Sequence, residues 1–353
     1  MDREKDKINL FNFLGEFDKD RYAPNGLIIE PTGNCAGGCV YCYSSSRGIT
    51  SGDTLSPEKI HEIIQDATEL GIQGIHWCGG DPLFHPDIFP LIDYVREMGM
   101  FNNGMQMDPA SISKKVARQL VAAELGEAGI HIDTLDQQRH DRVNFDPKAL
   151  QRRINGYKNL LEAGYPPNRV FGTICLTRET IETVRETTDW FLDEMGASCV
   201  NYVTFRPEGL ARTGLDHWEL TPADTKMIRE YLSAKLNLPE LLRTGSSDSI
   251  HVCKNYFAIK DNGEVIPCVF TRDLVVGNVH QERLKDIFQR DRELLTFDFE
   301  IKGACGTCEN NDVCFGCRAN AYHFLGDVRA SDPKCWLNPV AAQKPQCLQE
   351  NQK

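Results

Sequence analysis

The strongest constraint on this chain is an eight-residue loop, Cys35-Ala-Gly-Gly-Cys39-Val-Tyr-Cys42, which follows the apolar run Leu27-Ile28-Ile29. Three thiols spaced by three and then two residues can wrap one compact metal centre, and Gly37 and Gly38 let the backbone curl without steric cost. A cubane iron–sulfur cluster has four irons, so three thiolates leave one of them open. An open coordination position is what separates a catalytic metal site from a closed structural one.

Around this loop the chain alternates between strand and helix patterns. Residues 1–24 read as a short N-terminal helix or arm. Strands are expected at Leu27–Glu30, Gly74–Cys78, Met100–Met107 (weakened by Asn103-Gly104), Gly129–Asp133, Val170–Leu176 and Cys199–Phe205. Ser56-Pro57 supplies a cap and a first-turn proline for a helix to about Leu70, and a second helix runs from the Gly79-Gly80-Asp81-Pro82 turn to about Met98. Further helices are expected over 113–125, from Asp146-Pro147 to near Gly164, over Glu179–Met195, and from Thr221-Pro222 with Asp224 three residues after the cap.

Six strand–helix units imply parallel strands with helices outside, and they fall short of the eight of a closed barrel. The expected fold is α/β, an open and partial (β/α)6 barrel. Ligands in such sheets sit at the carboxyl ends of the strands. The cysteine loop, Gly79-Gly80-Asp81, Asp133 and Arg206 would then face one mouth. Residues 238–250, with Asn-Leu-Pro and Gly-Ser-Ser-Asp-Ser, read as a linker between a barrel at 25–237 and a cysteine-rich region at 251–337. Residues 338–353 read as a loose tail.

Fourteen cysteines, ten of them tightly clustered, stand out in an otherwise ordinary composition of 41% apolar and 25% charged residues. The charged start, Met-Asp-Arg-Glu-Lys-Asp-Lys, does not read as a signal peptide, and no apolar run approaches the ~20 residues of a membrane helix. A cytoplasmic location follows, in which clustered cysteines point to metal ligands rather than to a disulfide framework. The net charge of −12 argues against broad nucleic-acid binding.

The second cysteine group reads Cys253-x9-Gly263-x4-Cys268, then Cys305-x2-Cys308-x5-Cys314-x2-Cys317-x17-Cys335. Between its first two members, Phe257 to Ile266 reads as a β-hairpin around a two-residue Asn262-Gly263 turn. Paired Cys-x2-Cys motifs also bind structural zinc, which is the alternative for this group. Cys78, Cys175 and Cys199 fall in strands and fit small buried hydrophobes, although Cys78 beside the Gly-Gly turn could also donate a hydrogen atom to a radical.

In this position the Cys35-x3-Cys39-x2-Cys42 loop resembles the radical S-adenosylmethionine (SAM) enzymes, and the C-terminal group resembles their SPASM extension. Gly277-Asn278-Val279, Gly316-Cys317-Arg318-Ala319, Gly326-Asp327 and Asp332-Pro333-x-Cys335 match as well. The resemblance implies that the open iron binds SAM and that one electron cleaves it to a 5′-deoxyadenosyl radical, with the protein orienting the cofactor. It implies three [4Fe-4S] clusters: one on Cys35, Cys39 and Cys42; an outer one on Cys305, Cys308, Cys314 and Cys335; and an inner one on Cys253, Cys268 and Cys317. The fourth inner ligand is left open between Cys347, another side chain, substrate and solvent.

Gly79, Gly80, Asp81 and Pro82 resemble the family's Gly-Gly-Glu-Pro turn at the methionyl ammonium, with Asp in place of Glu. Tyr41 resembles the aromatic beside the adenine, or is a core tyrosine. Asp133 could bond the ribose or transfer a proton, and Arg206 could neutralise the SAM carboxylate.

The implied activity is hydrogen abstraction from an unactivated C–H bond, with surplus electrons leaving through the inner cluster. The outcome would be a crosslink, dehydrogenation or decarboxylation. The first expected substrate is a ribosomally made peptide, by analogy. The alternative is a small molecule, an aminoglycoside-type sugar or a tetrapyrrole carboxylate. A non-catalytic iron–sulfur electron carrier explains the cysteines but not the Gly-Gly-Asp turn or the barrel. The implied partners are a flavodoxin- or ferredoxin-like electron donor and, for a peptide, a separate leader-peptide recognition protein, because only 26 residues precede the first strand.

Overall fold

A computed structural model describes residues 22–338 apart from 47, 49–51, 213, 215 and 248–251. Most of the expected arm at 1–24 and of the tail at 338–353, with Cys347, lies outside the described residues.

The strands are β1 (Gly26–Ile29), β2 (Gly74–Trp77), β3 (Phe101–Met107), β4 (Ala128–His131), β5 (Val170–Leu176), β6 (Cys199–Thr204), β7 (Tyr256–Ile259), β8 (Glu264–Ile266) and β9 (Gly277–Asn278). They form one sheet in the order β6-β5-β4-β3-β2-β1-β7-β8-β9. Pairing is parallel from β6 through to β7, and only β7–β8 and β8–β9 are antiparallel. The order does not close, so the fold is the open, partial α/β barrel.

The outer layer holds α1 (Pro57–Glu69), α2 (Ile88–Glu97), α3 (Lys114–Ala122), α4 (Gln137–Val143), α5 (Ala149–Glu162), α6 (Val184–Asp189) and α7 (Pro222–Leu236). Local chemistry fixes their starts. The Ser56 hydroxyl accepts from Lys59 N at α1, and Thr221 with Asp224 closes a full capping box at α7. Their apolar stripes and the inner strand residues form one core, with Leu27, Ile75, Trp77, Ile130 and Phe257 fully buried.

Five features differ from expectation. α6 begins at Val184 rather than Glu179, because Thr177 and Thr180 bond each other and nearby backbone instead of starting a helix. α4 was not foreseen in a polar stretch. The β7–β8 turn is a three-residue loop, since Lys260 N pairs with Glu264 O and Gly263 takes φ +83°, the glycine-bulge form of hairpin. The segment read as a linker is packed over its described part: Leu241, Thr244, Ser246 and Ser247 are buried, and Ser246 donates to Asp332. β7 also adds a seventh parallel strand beside β1, which the sequence pattern did not suggest.

Candidate active site and cysteine centres

The three-cysteine loop leaves the carboxyl end of β1 and is pinned by backbone bonds to the α4–α5 connection. Val40 N donates to Val143 O at 3.1 Å, Phe145 N to Gly38 O at 2.9 Å, and the Asn144 amide to Gly37 O at 2.6 Å. Beneath the loop, Arg153 of α5 forms a buried ion pair with Asp108, 3.0 Å from Nε to Oδ1, and reaches Gly37 O at 2.9 Å and Cys39 Sγ at 3.4 Å. Burial raises the Cys39 thiol pKa, but Arg153 and His131 outweigh it and hold Cys39 below the ordinary thiol value. Burial and neighbouring negative charge push Cys35 and Cys42 up. Gly37 is required here: a Cβ would lie 2.8 Å from Asp108 Oδ2 and 3.1 Å from Cys35 Sγ.

The Gly79-Gly80-Asp81 turn docks on the same loop. Gly80 N donates to Thr32 O and Asp81 N to Asn34 O, and a Cβ on Gly79, where φ is +108°, would sit 2.7 Å from Glu30 Cβ. Asp81 itself departs from expectation. Its buried carboxylate caps the short turn Pro82–Phe84 through Leu83 N and accepts from Ser111 Oγ at 2.6 Å, so it faces into the protein. The backbone of Gly79 and Gly80, rather than the Asp81 side chain, borders the cavity.

Asp133 is fully enclosed. It accepts from Cys175 N at 2.8 Å, from His131 at 3.0 Å and from the Tyr41 hydroxyl. Burial works against its charge, but His131 and these donors hold it at about 2. The same carboxylate, with Cys39, lifts His131 to about 10 against its own burial. Tyr41 is thus locked at its hydroxyl end and packed edge-on against His131 and tilted against Trp218, while still lining the cavity.

Arg206 reaches the second cysteine group. Its Nη2 lies 3.1 Å from Cys317 Sγ, its Nε donates to Asn320 Oδ1 at 2.8 Å, and it stacks on Phe270 at 4.6 Å. It lines the same cavity as Gly79 and Gly80. Cys78 remains beside the cavity, 3.2 Å from the Tyr43 hydroxyl, and burial with Glu30 nearby pushes it up to about 11.

Cys253, Cys268 and Cys317 line the same cavity of about 390 Å³ as Cys35, Cys39 and Cys42. Cys268 lies within electrostatic reach of Cys253 and Cys317, Cys335 of Cys305, and Cys314 of both Cys335 and Cys253, so the C-terminal cysteines gather in one region. Cys317 caps the short helix α8 (Arg318–Leu325), accepting from Asn320 N. Backbone amides also face Cys305 (from Asp332, 3.3 Å) and Cys314 (from Gly316, 3.3 Å). A Cβ at Gly245 or Gly316 would come within 2.4 Å of Cys335 Sγ or 2.7 Å of Cys305 Sγ. Soft thiolates approached by amide donors fit iron–sulfur clusters. Among the described residues, no three His, Cys, Asp or Glu side chains are placed to hold a single metal ion.

Deeper in the barrel a few polar side chains interrupt a largely apolar cavity wall. Thr173 Oγ1 donates to Gln106 Oε1 at 3.0 Å, leaving the Gln106 amide nitrogen without a partner. Burial holds His76 at about 4 and lifts Glu127 to about 7. The native state therefore keeps a proton on Glu127 that the unfolded chain has lost. Stability should fall by up to about 3 kcal/mol as pH rises from about 4.5 to 7. Glu127→Gln should flatten that stretch of the denaturation-midpoint profile, and an unchanged slope would contradict the assignment.

Two family models match this chain, the radical SAM superfamily over residues 29–191 and the SPASM iron–sulfur cluster-binding domain over 251–318. The chain is a radical SAM enzyme with a SPASM domain. Its cofactors are SAM and [4Fe-4S] clusters. Similar curated proteins include the AdoMet-dependent heme synthase of Methanosarcina barkeri, 24% identical over 90% of this chain and 97% of its own length. The mycofactocin maturase of Mycobacterium ulcerans is 25% identical over 91% of this chain and 90% of its own. In three dimensions the chain resembles Streptococcus suis SuiB bound to S-adenosylmethionine, with TM-score 0.66, 19% identity, and 89% of this chain and 78% of SuiB covered. No described helix of this radical SAM enzyme is long and apolar enough to cross a membrane.

Sequence reasoning missed Asp108, His131, Asn144, Arg153 and the Glu30–Arg272 pair. One signal was available for Arg153, which interrupts the buried stripe Leu150-Arg153-Tyr157-Leu160 of α5. A cation on an otherwise apolar helix face needs a buried partner.

Proposed function

We propose that the enzyme abstracts a hydrogen atom from an unactivated C–H bond of a ribosomally made peptide and completes an oxidative modification. The observation that carries this reading is the single cavity that joins Cys35, Cys39 and Cys42 to Cys253, Cys268 and Cys317. In this reading the first three hold the cluster with the open iron, the second three the inner cluster, and Cys305, Cys308, Cys314 and Cys335 the outer one. The proposed division is 25–237 and 251–337, and one sheet runs through both parts. When bound, the first cluster and SAM supply the adenosyl radical. The chain's own residues orient it: the Gly79-Gly80 backbone edges the site, Tyr41 offers a fixed ring face, and Arg153 keeps Nη1 without an acceptor beside the loop, suited to a carboxylate.

For the substrate, several cations lining the cavity already hold an internal partner, with Arg153 Nη1 left for the SAM carboxylate. Arg153 holds Asp108, His131 holds Asp133, Arg229 holds Ser247 O at 2.7 Å, and Arg318 holds three backbone carbonyls. That favours amide-rich peptide over a tetrapyrrole carboxylate, and PqqA peptide cyclase is a relative named for a peptide. The small-molecule reading, a sugar or tetrapyrrole, keeps its support from the heme synthase similarity. Anaerobic incubation with SAM, reductant and either a candidate precursor peptide or a tetrapyrrole decides between them by mass spectrometry. Loss of hydrogen or carbon dioxide from the tetrapyrrole alone would sink the peptide reading.

Cys78 offers a second ending: its thiol, protonated at neutral pH, would give a hydrogen atom to the product radical, and the thiyl left on Cys78 would regain an electron from the reduced inner cluster, re-reduced by the external reductant, and a proton from solvent. In D₂O such a donor would leave deuterium in the product, and Cys78→Ser should remove it. Product without deuterium from the wild type would exclude this role.

A further inference from the structure

Among the described residues, every buried carboxylate has an internal partner except one. Glu30 is held by Arg272, Asp66 by Arg283, Asp108 by Arg153 and Asp133 by His131. Glu208 pairs with Arg212 and His323. Asp81 accepts from Ser111 and Leu83 N, and Asp332 from Ser246 and Cys317 N. Glu127 is only 9% exposed, yet no donor reaches its carboxyl and burial alone acts on its proton. A buried carboxyl without a donor is costly and calls for an occupant.

Glu127 immediately precedes β4 and lines the cavity, as His76 of β2 does. Gly104 of β3 lies between them in the sheet. It pairs with His76, and a Cβ there would be 3.1 Å from Glu127 O and 3.2 Å from His76 Nδ1. The missing side chain at Gly104 leaves the two groups a shared space. No described group bonds the His76 ring, and burial keeps it neutral, so it offers an acceptor nitrogen. Glu127 precedes His131 by four residues, about 13 Å of strand, which puts this floor well below the three-cysteine loop. The wall above it is apolar. The Phe171 ring covers Gly129, where a Cβ would meet it at 2.6 Å, and Leu232 and Leu236 line the same cavity.

An anion would be repelled from this floor, and a neutral group would leave the carboxylate charge uncompensated in apolar surroundings. A cation on an apolar stem satisfies the carboxylate and the walls together. We propose that Glu127 selects a cationic group of the substrate, an ammonium or guanidinium on an apolar stem that reaches the floor of the barrel. In the peptide reading, on which this rests, that group is a basic side chain. The reacting carbon then lies above it, between the floor and the three-cysteine loop.

The test is calorimetric titration of the anaerobically reconstituted full chain with SAM, at about pH 8 so that Glu127 is ionised. The probes are n-butylammonium, 1-butanol and butyrate, alike in length and different in charge. The wild type should bind butylammonium about tenfold or more tighter than butanol, and butyrate most weakly. Glu127→Gln, which keeps the shape and removes the charge, should cut that preference to about threefold or less. Gly104→Ala, which narrows the space between Glu127 and His76, should weaken butylammonium alone. Equal binding of the three probes, no measurable binding of butylammonium, or a preference unchanged in Glu127→Gln would overturn the proposal. If Glu127→Gln does not fold, an unchanged butylammonium affinity in Gly104→Ala overturns it instead. No turnover is read in these titrations. A tetrapyrrole modified in place of a peptide would therefore remove the peptide reading and leave the binding result standing, whereas a peptide modified by a protein that binds no amine would remove this proposal alone.

Discussion

Replacing Cys42 with alanine is expected to bring 5′-deoxyadenosine formation to the level seen without enzyme and to cost about four irons per chain, measured by product chromatography and by iron and sulfide analysis. The loop supplies three sulfurs, and the pinning bonds from Val143, Asn144 and Phe145 act on Gly37, Gly38 and Val40, so they fix the loop without replacing a lost ligand. Cys308→Ala, acting on the outer set, should by contrast retain measurable SAM cleavage. A Cys42→Ala protein that keeps even a tenth of wild-type turnover would mean that the loop does not hold the radical-generating cluster.

The largest stability effect is expected from Arg272→Ala. Arg272 forms a two-pronged pair with Glu30, 2.9 Å at both oxygens, and Glu30 is only 1% exposed. Removing one partner of a buried ion pair strands the other charge and costs about 3–5 kcal/mol. In a protein of this size that corresponds to a fall of roughly 5 °C in the apparent melting temperature. The double variant Glu30→Gln with Arg272→Met should recover much of the loss, since no charge is then stranded. A fall of less than ~2 °C for Arg272→Ala would show that Glu30 finds another partner or water.

Much of this molecule was legible because its signals are local. Capping at Ser56 and Thr221, the largely apolar run Val170–Leu176 and the cysteine spacings each depend on a few neighbouring residues. What escaped depends on distant pairs. Asp81 looked like a ligand-facing carboxylate, but Ser111, 30 residues away, turns it inwards. Arg206 ends the sixth strand as expected, yet its partner sulfur is 111 residues further on, and nothing in its neighbourhood indicates that direction. Asp108 and Arg153 had no motif at all, because a buried ion pair is specified by packing in three dimensions.

The parallel pairing of β7 with β1, in the register Gly26↔Tyr256 to Ile29↔Ile259, has a consequence for attempts to dissect the protein. Cutting the chain before residue 252 would turn β1 into an edge strand with a row of unmatched amides and carbonyls, on the very strand that launches the three-cysteine loop. Exposed edges of this kind recruit other chains. The N-terminal part expressed alone should therefore self-associate, and exchange of the C-terminal part between related enzymes should succeed only when β7 travels with a β1 that matches it.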